Sequence, residues 1–115
     1  MELTLAVQRL GALAHGTRLS LFRLLVQQGA SGLAAGELAS RLDLAPSTAS
    51  FHLAELTRVA LIAARREGRS HIYAVDFKAM SELIDYLKEN CCSEGDDHEI
   101  CRRINRRGKA SPRKR

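Results

Sequence analysis

The stretch over residues 36–75 constrains this chain most, because its apolar spacing changes character twice. Leu38, Ala39 and Leu42 recur at helical intervals, and Asp43-Leu44-Ala45 interrupts them. Pro46 then stands where a new helix can begin: its ring presets φ, and the N–H it lacks has no partner in a first turn. That helix is expected to run to about Val59. From Leu61 the pattern is that of strands, over 61–66 and 70–75, around the glycine-containing turn Glu67-Gly68-Arg69. Helix, tight turn, helix and hairpin, in that order, predict a mainly α fold with a β-hairpin wing, a winged helix-turn-helix.

The flanks extend this unit. Leu3, Leu5, Val7, Leu10 and Leu13 predict a first amphipathic helix that ends near Ala14-His15-Gly16. Thr17 is placed to cap a second helix over 18–28, which Gly29 stops, and a third spans 33–42. Asp76 can cap a last helix from Phe77 to about Asn90, with Met80, Leu83, Ile84 and Leu87 on one stripe. That stripe either packs on its own core or pairs with the first helix of a second copy, since a small winged domain hides both flanking helices only partly. Length and low aromatic content suit one helical domain over 1–90.

No apolar run approaches the length of a membrane span, and the start lacks the basic and apolar regions of a secretory signal. A cytoplasmic protein with no membrane partner is expected. Thiols stay reduced there, so three cysteines favour metal or redox chemistry over a disulfide framework. No Gly-rich phosphate loop is present, and the chain is not expected to be an enzyme.

The net charge of +5 is unevenly placed. Residues 102–115 hold eight of the eighteen basic side chains and none of the thirteen acids, so residues 1–101 carry ten basic groups against thirteen acidic ones. The excess belongs to a tail whose composition predicts no fold of its own; its sharper use is as a clamp on DNA phosphates.

A helix that reads DNA needs short polar side chains on its first turns and apolar ones behind. Ser47, Thr48, Ser50, Phe51 and His52 are assigned to the front, with Ala49, Leu53 and Leu56 behind. Hydroxyls bond phosphates or base edges, and a helix N-terminus favours phosphate. Phe51 suits either a thymine methyl or the core. Arg65, Arg66, Arg69 and His71 lie on the hairpin, where a wing meets the backbone or the minor groove. The partner these residues predict is double-stranded DNA.

The chain resembles the ArsR/SmtB family of metal-responsive repressors. The likeness rests on Leu13-Ala14-His15-Gly16-Thr17-Arg18-Leu19, Gly36-Glu37-Leu38-Ala39, Pro46-Ser47-Thr48-Ala49-Ser50-Phe51-His52-Leu53, Arg65-Arg66-Glu67-Gly68-Arg69 and Tyr73. It covers about residues 5–90. The resemblance implies a homodimeric repressor, paired through its first and last helices. It implies binding to an inverted-repeat operator and release when an inducer binds. His15-Gly16 stands where the family often has Asp-Pro, and Phe51 where it often has a second His.

Family members place inducer ligands at different points. The Cys-x-Cys of one arsenical branch is absent from Gly32-Leu33-Ala34-Ala35-Gly36, and the last helix has no His for a zinc set. What remains is Cys91, Cys92 and Cys101, in polar surroundings, with Arg102 and Arg103 favouring thiolate at Cys101. Three soft donors select thiophilic ions, and trivalent arsenic or antimony takes three sulfurs in a pyramid. The expected inducer is As(III) or Sb(III), bound over residues 91–101, as in an arsenical-resistance operon repressor with a C-terminal cysteine site. Zinc or cadmium with His98 as a fourth ligand, and a reversible disulfide, are the alternatives.

Overall fold

The computed structural model describes residues 1–91 together with Glu99, Arg102 and Arg103. Its elements run α1 (Leu3–Leu13), α2 (Gly16–Gln28), a 3-10 turn (Gly29–Ser31), β1 (Leu33–Ala34), α3 (Ala35–Arg41), α4 (Pro46–Arg58), β2 (Ile62–Glu67), β3 (Ser70–Val75) and α5 (Phe77–Leu87). The antiparallel sheet has the order β1-β3-β2. The fold is the mainly helical, winged arrangement expected from the sequence. No helix among the described residues is long and apolar enough to cross a membrane.

The core is built where the helices meet the base of the wing. Leu21 and Leu25 of α2, Leu38 of α3, Leu53 and Leu56 of α4, and Leu61 are sealed from solvent, with Ile62 nearly so. Each such side chain removes enough apolar surface from water to stabilise the fold by about 1.5–3 kcal/mol.

Four local expectations are revised. Leu33 and Ala34 form a strand rather than the start of a helix, because they pair with Tyr73 and Ile72 on β3. Gly32 makes this possible: its φ is +69°, and a Cβ there would collide with the Tyr73 carbonyl. The cap of α2 is His15 rather than Thr17; the His15 Nδ1 accepts from the Thr17 N–H at 3.2 Å. The hairpin loop is only Gly68-Arg69, since Glu67 pairs with Ser70. Gly68 has a φ of +64°, the conformation a tight two-residue loop with glycine first demands. Finally, α5 ends at Leu87, short of Asn90.

Both joints of the helix-turn-helix unit close with the same device. After α3, the N–H groups of Asp43 and Leu44 bond back to Ser40 and Ala39 at 3.2 and 2.8 Å, with Asp43 at φ +55°. After α4, those of Ala60 and Leu61 bond back to Thr57 and Leu56 at 2.9 and 3.1 Å, with Ala60 at φ +63°. These are Schellman caps, and the second carries its usual apolar contact between two buried leucines, Leu56 and Leu61. They set the angle between α3 and α4 and the exit of the chain into the wing.

Two flanking helices keep apolar faces uncovered. Leu3, Val7 and Leu10 line one side of α1, at one- and two-turn spacing, and Leu3 is 66% exposed. On α5, Phe77, Ile84 and Leu87 do the same. The expected segments 91–101 and 102–115 lie outside the described residues except at Cys91, Glu99, Arg102 and Arg103. The last three have helical backbone, with Arg103 donating to Glu99 at 3.3 Å.

Candidate nucleic-acid interface

Helix α4 presents two faces of different chemistry. Ala49, His52, Leu53 and Leu56 recur at three- and four-residue steps and are buried. Ser47, Thr48, Ser50 and Phe51 face outward, and Phe51 is 60% exposed, far more than a core ring. Pro46 opens the helix, and Ala45 at the cap position makes no side-chain hydrogen bond. The N–H groups of the first turn therefore have no intrahelical or capping acceptor, and they suit a phosphate oxygen.

His52 is the correction to the sequence-based site. It was the polar member of an inward-facing set, and only 7% of it is exposed. Its Nδ1 lies 3.1 Å from Arg18 Nη1 of α2, and its ring packs against His15 at 4.6 Å between centroids. Burial, then the neighbouring His15 and Arg18, hold its pKa below the ordinary histidine value. His52 does not share the exposed face.

A buried cation seats the far end of α4. Arg9 of α1 is buried, and its Nε donates to the Val59 carbonyl, the C-cap of the helix, at 2.8 Å. A positive charge there complements the negative end of the helix dipole. Nη1 of Arg9 has no hydrogen-bond acceptor and lies 3.8 Å from Glu82 of α5. Arg18 and Arg9 thus hold the middle and the end of α4 from outside the helix-turn-helix, which sequence reasoning missed. Arg18 was visible only as part of the family motif.

The wing's cations differ in their engagements. Arg65 bonds Glu67 at 2.8 Å and reaches across to the Ser31 carbonyl at 2.9 Å, tying β2 to the 3-10 turn. Among the described residues no acceptor is paired with Arg66 or Arg69, and both are exposed. Arg66 lies opposite His71 across the β2–β3 ladder, so the two side chains share a face. Between wing and helices lies a groove of about 380 Å³, lined by Gly36, Ser50, Arg69, Ser70, His71 and Tyr73 among others. Ser50 of the helix and two of the four expected wing residues, Arg69 and His71, therefore border one concave surface; Arg66 lies beside His71 on the ladder, and Arg65 is tied to the 3-10 turn.

Cys91 is exposed beyond the end of α5, where its N–H donates to Lys88 at 2.9 Å. Cys92, Cys101 and His98 lie outside the described residues. Among the described residues no three His, Cys, Asp or Glu side chains gather as a metal site would require.

Residues 13–65 match the model of a helix-turn-helix domain family. The transcriptional activator HlyU of Vibrio cholerae is 39% identical over 71% of this chain and 76% of its own length. This chain belongs to the ArsR-like family of winged helix-turn-helix transcriptional regulators. The solved structure of HlyU superposes with a TM-score of 0.60, covering 73% of this chain and 91% of that one. The HTH-type transcriptional regulator YgaV of Escherichia coli is 32% identical over 76% of this chain and 86% of its length. A homodimeric winged helix-turn-helix DNA-binding domain from Mycobacterium bovis aligns at 26% identity with a TM-score of 0.60, over 84% of this chain and 89% of that domain.

Proposed function

We propose that this ArsR-like regulator binds an inverted-repeat operator as a homodimer and represses transcription from it. The observation that carries this reading is the groove where Ser50 of α4 meets Arg69 and His71 of the wing, flanked by the exposed Ser47, Thr48 and Phe51 on the helix and the exposed Arg66 on β2. It joins hydroxyls and one apolar ring for a major groove to uncommitted cations for phosphates. Dimerisation through α1 and α5 would cover their open apolar stripes and set two copies of α4 about one DNA turn apart. The homodimeric state of the Mycobacterium bovis domain supports it.

The inducer we assign is trivalent arsenic, or antimony, bound by thiolates of Cys91, Cys92 and Cys101. Donor softness supports it, as does the exposure of Cys91 directly beyond a helix assigned to the dimer contact. Ligand binding there would shift the dimer between two arrangements, and DNA would weaken inducer binding by the same factor.

Fluorescence anisotropy of the reduced full-length protein on its own promoter DNA tests both statements. Release by arsenite, abolished by Cys101→Ser, is the expected result. Release by zinc or cadmium alone would reassign the inducer, and release by oxidant alone would make the thiols a redox switch. A reporter whose output rises with the protein would make it an activator, as HlyU is named. No DNA binding would overturn the reading altogether.

A further inference from the structure

Two histidines and an arginine meet where α1, α2 and α4 converge, and they share an unusual requirement. Arg18 Nη1 and the Thr17 backbone N–H can only donate. The nitrogens facing them, Nδ1 of His52 at 3.1 Å and Nδ1 of His15 at 3.2 Å, must therefore be unprotonated acceptors. Arg18 cannot withdraw easily, because its Nε is fixed on the Ala12 carbonyl at 2.7 Å. The two imidazoles are packed at 4.6 Å, so a second positive ring would meet both the first and the guanidinium.

The charges bearing on His52 are those of His15 and Arg18. Other charged side chains on elements packed against α4 are engaged elsewhere or, like Arg66 of β2, exposed on the wing. Arg9 of α1 is held on Val59, Glu37 and Arg41 of α3 pair with each other, and Arg65 of β2 is tied to the 3-10 turn. Glu55, on α4 itself, pairs with Arg58, and the remaining cation of α2, Arg23, is exposed. Protonation at this junction thus adds charge among cations, and at His15 it also removes the cap of α2.

We propose that the His15–His52 pair with Arg18 is a proton-sensitive latch: neutral rings seat the recognition helix for DNA, and their protonation unseats it. His52 and Arg18 act here as positioning residues, not as DNA contacts. The inference rests on the DNA-binding function proposed above. Its sign is diagnostic, because protonating the wing's His71 would strengthen attraction to phosphate, whereas protonating the latch weakens binding.

The test is operator binding by the full chain from about pH 8 to about pH 5.5 at constant ionic strength, where histidines titrate. Wild-type affinity should fall on acidification, by up to about tenfold per pH unit for each coupled proton. His71→Gln should keep that fall. The pair His15→Asn and His52→Gln should lose it, because Asn can still cap α2 and Gln can still accept from Arg18. His52→Ala should weaken binding at every pH, and His52→Gln should restore it relative to Ala. An undiminished fall in the double variant would overturn the latch. Histidine-ring and backbone NMR titration of the DNA-free protein provides a separate arm. Signals of residues 46–58 that move with the protonation of His52 support the latch; signals that stay fixed, or a proton on His52 Nδ1 at pH 8, overturn it. If the wild type binds no DNA at any pH, the DNA-binding function fails, and the NMR arm still decides whether the helix is latched.

Discussion

Single residues carry conformations that their side chains alone would not choose. Ala60 sits at φ +63° because the Schellman cap of α4 needs a left-handed residue there, and an L-alanine bears a steric cost in that region. Ala60→Gly should raise unfolding stability by about 1 kcal/mol, measured by urea denaturation. Gly32 is the reverse case: any side chain meets the Tyr73 carbonyl, and Gly32→Ala should cost about 2–3 kcal/mol in the same measurement. His52 links stability to pH. Its folded pKa lies below the value of an unfolded histidine, so the unfolded chain takes up the proton first. The contribution is fully present above the unfolded value near pH 6.5 and is lost as pH falls through the folded value. The melting temperature should therefore drop on acidification across that window, and less steeply in His52→Gln. The inward position of His52 was legible in principle, since it falls three residues after Ala49 and four before Leu56; its polar chemistry argued for the surface and its spacing for the core.

Among the elements, the wing shows how neighbours divide one residue type between structure and binding. Arg65, Arg66 and Arg69 are equivalent in sequence, yet Arg65 reaches carbonyl groups more than thirty positions away, at Ala30 and Ser31. Arg66→Ala and Arg69→Ala should each weaken DNA binding and lower the slope of log affinity against log salt by about 1, read by anisotropy over a salt series. Arg65→Ala should leave that slope nearly intact and instead lower thermal stability by loosening β2 from the 3-10 turn. The recognition helix shows the same division. Its start is local chemistry, proline at the first position and an alanine cap that leaves N–H groups open. Its seating comes from α1 and α2, through Arg9 and Arg18, at separations of 50 and 34 residues.

In the whole molecule, apolar stripes on α1 and α5 remain outside a core that is otherwise closed. Covering Leu3, Val7, Leu10, Ile84 and Leu87 with a second copy offers the hydrophobic gain the isolated chain forgoes. Val7→Asp together with Leu87→Asp should shift sedimentation from dimer towards monomer and weaken operator binding, with little loss of secondary structure by circular dichroism. The amino-acid sequence by itself determined the order of helices, turn and hairpin, the opening of α4 at Pro46, and the hydroxyl row that follows. These depend on periodicity, on the fixed φ of proline and on interactions within a few residues. Only the tertiary structure decided that Arg65 is tied to the 3-10 turn while Arg66 and Arg69 stay exposed, that Leu33 and Ala34 join the sheet, and that His52 turns towards Arg18. Each of those outcomes is fixed by a partner tens of residues away, and spacing along a chain carries no record of which distant carbonyl or ring a side chain will meet.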